Sequence, residues 1–335
     1  MSIRYLFLPA LLLPLSALSA QCTPSQMASL QQQILSQLNQ PDGRHVIAAP
    51  LKQANTVQAI ASDNRRSVLY AAKVVKAKPE TVVLTAYRYD GGNTLKPWHM
   101  FMPSENLGHQ GLAVQQTHNG IYFWGSQSSA VKNWGFYVIR FRVDSDGQVA
   151  DVTPFRLFPD KTYRNAGNTT PTVSADNRYL IARGRLQEKG YSAIHVFDLA
   201  GISPDLPQPL AEWALPPSFT AHHYPFQGMA SDGRFVYLIS GDGDTGFDKQ
   251  MLIYTLQGQQ VFATDKLQTG KADAMATGKG ESWEPEGLNL MRLGQRDYLN
   301  VSINAGNPGR RSTFIYRIAL SRLQPLLTQA AACAE

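Results

Sequence analysis

Residues able to bind or turn over a hydroxylated ligand recur at comparable places along this chain. Trp98 and His99, His109, Tyr163 and Arg164, His222, His223 and Tyr224, then Trp283, Glu284 and Glu286 all lie beside the starts of short apolar runs. Aromatic faces stack on sugar rings, while Arg and His bind carboxylate or phosphate. A lone histidine in such a place is commonly structural; several converging on one opening point to a binding site. His109, His223, Tyr224 and Arg164 are also the groups a polysaccharide lyase needs: a base, an acid and a cation that neutralises the uronate carboxylate. A glycosidase needs paired carboxylates, and here only Glu286, with Glu281 and Glu284 on the same loop, offers any. No G-x-S-x-G occurs, so a serine hydrolase has no support.

The residues just before the apolar runs form a second series: Gln58, Gln110, Thr170, Gln227 and Glu286. They read either as amides that hold structural units in register or as the polar floor of a funnel. Gly241-Asp242-Gly243-Asp244-Thr245-Gly246 matches G-x-G-x-x-G. A dinucleotide site needs a helix after that match, whereas the following Lys249–Leu256 alternates like a strand. Asp242, Asp244 and Asp248 on the same loop are candidate ligands for a hard cation such as Ca²⁺, against the simpler reading of a solvated loop. No cysteine pair or H-x-x-x-H indicates zinc.

The elements that must position these groups announce themselves by repetition. Asp63-Asn64, Asn119-Gly120, Asp176-Asn177, Asp232-Gly233 and Gly294-Gln295 lie 56, 57, 56 and 62 positions apart, each between two apolar or alternating runs. Such dipeptides tolerate the positive φ of tight hairpins. A hairpin returning about every 57 residues is one supersecondary unit copied around a structure. Four repeats read as four strands and the fifth as three, with 45–51 supplying the missing strand from the N-terminal side. The expectation is an all-β fold, a five-bladed β-propeller over residues 45–320; two β-sandwiches would not explain the equal spacing.

Residues 1–20 follow the charged, apolar, small-residue order of a secretory signal. Residues 21–44 hold a helix, with Thr23 as cap, Pro24 in the first turn and Met27, Leu30, Ile34, Leu35 and Leu38 on one stripe. Residues 321–335 read as a C-terminal helical tail. The 335 residues carry 43% hydrophobic and 17% charged side chains, ample for a large core. The formal net charge of +6 favours acidic partners; no basic block marks nucleic acid, and no later stretch spans a bilayer. Cys22 and Cys333 are the only cysteines, one near each end. In an oxidising compartment they pair as a disulfide, which a ring-shaped fold would allow. Lipidation of Cys22 is the competing reading, opposed by Gln21, since a lipid-modification site wants a small residue there.

The stretch PWHMF…GHQGLAVQQTHNGIYFWGSQ…GFYVIRFRV, with WEPEGLNL later, resembles the propeller of the teichoic acid biosynthesis protein C group. The same domain occurs in receptor-binding tail proteins of phages that infect Gram-positive bacteria. Gln58, Trp98-His99-Met100, Gly108-His109 and Glu286-Gly287 carry the resemblance, over roughly residues 55–318. It implies a five-bladed propeller that recognises glycopolymers. The sequence therefore leads to an exported, secreted or periplasmic monomer that binds an envelope or extracellular glycan at its channel mouth. Gln58, Trp98, His99, His109, Gln110, Arg164, Gln227, Trp283 and Glu286 are its candidate contacts. A polysaccharide lyase and a protein-interaction scaffold are the alternatives.

Overall fold

The computed structural model describes residues 22–47, 57–89, 92–131, 135–158, 166–186, 191–205, 207–307 and 310–334. The signal segment, Tyr163 and Arg164 lie outside them. Helix α1 (Pro24–Asn39) opens with a capping box: Gln26 N–H donates to Thr23 Oγ1, and Thr23 N–H to Gln26 Oε1. Strand β1 (Gly43–Ile47) follows. Blade 1 contains β2 (Val57–Asp63), β3 (Val68–Ala77), β4 (Glu80–Arg88), and, after the two-residue β5 (Thr94–Leu95), β6 (Pro97–Met100). Blade 2 is β7 (Leu107–Thr117), β8 (Gly120–Gln127), β9 (Val138–Val143) and β10 (Val149–Phe155). Blade 3 is β11 (Ala166–Val173), β12 (Tyr179–Leu186), β13 (Tyr191–Asp198) and β14 (Ala211–Ala214). Blade 4 is β15 (Phe226–Ser231), β16 (Phe235–Ser240), β17 (Lys249–Thr255) and β18 (Gln260–Leu267). A short helix α2 (Lys271–Ala276) leads to β19 (Trp283–Leu293), β20 (Arg296–Ala305) and β21 (Ser312–Ala319), and α3 (Leu320–Ala334) ends the chain.

The first strands of the blades, β2, β7, β11, β15 and β19, lie side by side, and β19 returns to β2. That closes a five-bladed β-propeller. β1 completes blade 5 by pairing antiparallel with β21, His45 opposite Ile315. Thr94 and Leu95 pair with β1, and only Pro97–Met100 forms the outer strand of blade 1.

Burial explains the shape. Blades stacked face to face bury both faces of their middle strands, so β16 is buried throughout. Five apolar cores fill the five junctions between neighbouring blades. At about 25 cal/mol per Å² of apolar area, side chains such as Trp124, Phe141 and Phe197 make each junction a major source of stability.

The repeated hairpins differ in detail. Only Thr117/Gly120 and Leu293/Arg296 enclose two residues; the others are longer, and their Asp side chains cap the loop amides. Asp232 Oδ1 accepts from Arg234 N–H at 2.8 Å and Phe235 N–H at 2.7 Å. Asn177, at φ 62°, instead reaches the next blade: its amide exchanges two hydrogen bonds with the Gln116 backbone, 2.8 and 2.7 Å.

Cys22 and Cys333 form a disulfide, with Cα atoms 5.1 Å apart. The thiol is therefore not open to lipid attachment. α1 and α3 pack on each other and on blades 4 and 5. Leu320 and Gln324 of α3 reach the turn-side opening of the channel. No helix among the described residues is long and apolar enough to cross a membrane.

Candidate functional site

Each inner strand runs from an entry end, where the polar series lies, to a hairpin end. The polar series mostly holds the ring together. Gln58 Nε2 donates to Glu286 Oε1 at 3.0 Å, across the junction of blades 1 and 5. Glu286 is 4% exposed. Burial, then the neighbouring Glu284, push its carboxyl well above the usual range, against Arg311, Asn304 and Gln58, which lower it. Glu286 thus lies inside the wall, its carboxyl pushed toward the neutral form. Glu284 is committed to Arg311 at 2.7 Å. Gln227 Nε2 donates to the Gly241 carbonyl at 2.8 Å, and Thr170 is buried. Gln110 is the member of the series that lines open space.

Three expected placements are corrected. Trp283 is fully buried, its indole donating to Thr269 O at 3.1 Å beneath the ammonium of Lys249. It belongs to the core, because its strand start is covered by the blade 4 loop. Trp98 and His99 stand on β6, the outermost strand of blade 1, paired near its hairpin end. They lie away from the channel entry and from His109. Asp242, Asp244 and Asp248 form no cation cage, and no group of three His, Cys, Asp or Glu side chains among the described residues could hold a metal. The reason is Lys249: its buried Nζ donates to the carbonyls of Asp244 and Phe247, at 2.8 and 3.0 Å, where a cation would need them. Asp248 turns instead to Lys271 and Gln268.

Two histidines at blade entries are each oriented by a carboxylate. His109 Nδ1 lies 2.7 Å from Glu80 Oε1, which also accepts the His109 backbone N–H at 2.8 Å. Burial pushes the Glu80 carboxyl up, but bonds from His109 and Ser129 outweigh it and hold it below the usual range. An ionised Glu80 can only accept, so the proton sits on Nδ1 and Nε2 is left as the basic atom. His223 Nδ1 lies 2.8 Å from Asp242 Oδ2, and its ring stacks on Phe247 with centroids 4.0 Å apart. The Tyr224 phenol is held above its usual range, first by burial and then by Asp265, Asp248 and Asp242. His109 and His223 do not line a common cavity among the described residues.

Beside His109 the structure opens two adjoining clefts. One is lined by His109, Gln110 and Asn168. The other, of about 350 Å³, shares Gln110 and Asn168 and continues to Arg183, Arg185 and His222. Together they make a groove along the entries of blades 2, 3 and 4. Arg183 is 3% exposed, donates to Ser192 Oγ through Nε and Nη2 at 3.0 and 2.8 Å, and lies over the Phe226 ring. Among the described residues no carboxylate pairs with it. Burial, then Arg185, push its guanidinium down to about 9, which still leaves a cation at neutral pH. Asn168, Arg183, Arg185 and Glu80 were missed from sequence. The two arginines had a signal, since Ile181-Ala182-Arg183-Gly184-Arg185 places both on one face of a strand.

The arrangement can bind an anion and hydroxyl groups, and it holds two oriented imidazoles. A staphylococcal structure, the tail fiber of Staphylococcus aureus phage P68, matches with 17% identity and a TM-score of 0.61 over 88% of this chain. An exo-β-1,3-galactanase from Clostridium thermocellum matches at 10% identity and a TM-score of 0.50 over 82%. At such identities the likeness concerns the fold, and this chain spans 56% and 63% of those two chains. No curated protein matches the sequence. The family model of the phage five-bladed β-propeller receptor-binding platform domain matches residues 56–317, most of the chain. The chain belongs to that family.

Proposed function

We propose that this propeller is an exported glycan-binding protein that takes an anionic envelope or extracellular glycan in the entry groove of blades 2 to 4. The observation that carries the reading is Arg183. A buried guanidinium that no carboxylate among the described residues pairs with is costly, and an acidic group on a bound ligand supplies that partner. Arg185 extends the positive lining, His222 adds an imidazole, and Gln110 and Asn168 offer amides to hydroxyls. The net charge of +6 and membership of a receptor-binding family agree with an acidic ligand on a cell surface. The leader-like residues 1–20 and the disulfide support export.

Calorimetric titration with polygalacturonate tests this. Arg185→Ala with His222→Ala should weaken binding at least tenfold, about 1.4 kcal/mol, and raised salt should weaken it further. Unchanged affinity in the double variant overturns the groove as the site.

The two carboxylate-oriented imidazoles keep one second reading in play, a uronate lyase. His109 or His223 would take the C5 proton, and the Tyr224 phenol would protonate the departing O4. The C5–H and C4–O bonds break, and a C4=C5 double bond forms. Ultraviolet absorbance from the unsaturated product reports this directly. If no uronate polymer yields it, or if His109→Ala and His223→Ala leave it unchanged, the lyase is excluded.

A further inference from the structure

The displaced Trp98 marks a second opening, a cleft of about 400 Å³ on the outer rim between blades 1 and 2, at the hairpin end. Its surface is unusually aromatic for an exposed rim: Tyr70, Trp98, Phe101 and Phe123 all contribute. Tyr70 meets Phe123 edge to face at 4.9 Å and Phe101 at 6.2 Å, so the aromatic groups form one packed bed. Trp98 is half exposed, and the Arg88 guanidinium stacks over its ring at 3.7 Å; an indole held in this way loses little freedom when a sugar ring stacks on it.

The charge around the bed has one sign. Arg66 and Arg142 line the cleft, and among the described residues no carboxylate does. Arg66 reaches Asp63 only at 3.8 Å and is 61% exposed. Arg142 lies over the Tyr122 ring, and its Nε is buried without a hydrogen-bond partner among the described residues. Aromatic planes beside two guanidinium groups suit a ligand that has both an apolar ring face and an anionic substituent.

We propose that this rim cleft is a second glycan subsite, binding an acidic sugar unit with its ring on Trp98 and its anion between Arg66 and Arg142. The proposal rests on the reading that the propeller binds anionic glycans, and it adds a place distinct from the entry groove. Two subsites on opposite ends of the ring let one molecule engage two glycan chains, which raises avidity without new contacts at either site.

The test is calorimetric titration with an oligogalacturonate and with its neutral methyl ester. The intact protein should take two acidic oligosaccharides. Trp98→Ala, and separately Arg142→Ala, should leave one site, while Trp98→Phe keeps stacking and restores the second. Arg185→Ala with His222→Ala should also leave one, and the remaining binding should then vanish on adding Trp98→Ala. A single site lost entirely in the Arg185/His222 variant overturns the rim subsite and spares the groove. A single site lost only with Trp98 does the reverse. Equal binding of the methyl ester, or no binding of either ligand, overturns the acidic-sugar assignment.

Discussion

Gln58 and Glu286 meet across the seam where the last blade joins the first, the amide donating to the carboxyl at 3.0 Å. The seam is thus fastened by side chains from strands separated by most of the chain. Around the same point Asn304 donates to the Val57 carbonyl at 2.9 Å and accepts from Thr313 Oγ1 at 2.6 Å.

The protonation of Glu286 makes this seam sensitive to pH. Its folded-state pKa lies above the unfolded value, near 4.5. The stabilising contribution is therefore full below about 4.5, and declines as pH rises toward the folded value, because only the unfolded chain then ionises. Glu286→Gln keeps the bonds and removes the titration. Melting temperatures across pH should fall less steeply in that variant than in the native protein, and parallel curves would refute the assignment. Glu286→Ala should cost about 1–3 kcal/mol by stranding the Gln58 amide.

Asn177 should behave as a fastener between blades 2 and 3. Asn177→Gly relieves the positive φ but loses both bonds to Gln116; Asn177→Ala loses the bonds and adds strain. Denaturant midpoints should rank native, then Gly, then Ala, with about 1–3 kcal/mol lost in total. An Ala variant as stable as the native protein would show that the contact contributes nothing.

Lys249 replaces a metal ion in the Gly241–Gly246 loop. Added Ca²⁺ should leave the melting temperature unchanged, and Lys249→Met should lower stability by about 1–3 kcal/mol by stranding two carbonyls. A calcium-dependent rise in the native protein would contradict the role given to the ammonium.

Much of the architecture was legible because propeller blades repeat both their turns and their buried strands. Asn119, Asp176 and Asp232 recur at 56 or 57 residues since each blade needs the same length of chain. The site was less legible because sequence order does not say which end or which layer of a blade a residue occupies. Trp98 and Trp283 look alike in sequence, yet one stands on an outer edge and the other lies under Lys249 and Lys271. Asp242, Asp244 and Asp248 offered a candidate cation loop beside the simpler reading of a solvated loop, and the fold brings Lys249 among them. Arg183 and Arg185 were hidden because cations on a middle strand offer no motif, only an alternation.

The disulfide should matter more to the ends than to the blades. Closing about 310 residues limits the gain to about 5–6 kcal/mol. Cys22→Ser with Cys333→Ser should lower the denaturant midpoint and speed amide exchange in α1 and α3, with blade 2 exchange little changed. Equal loss of protection everywhere would mean that the bond supports the whole ring.

With Cys22 bonded to Cys333, the stretch between them is a covalent circle. A protease that cuts one exposed loop between blades opens the circle but releases no fragment. Both halves stay tethered through sulfur, and the blade seams can hold the broken ring in shape. Two cuts, or one cut and a reductant, are needed before any blade can leave. That linkage converts the first proteolytic event from a loss into a nick.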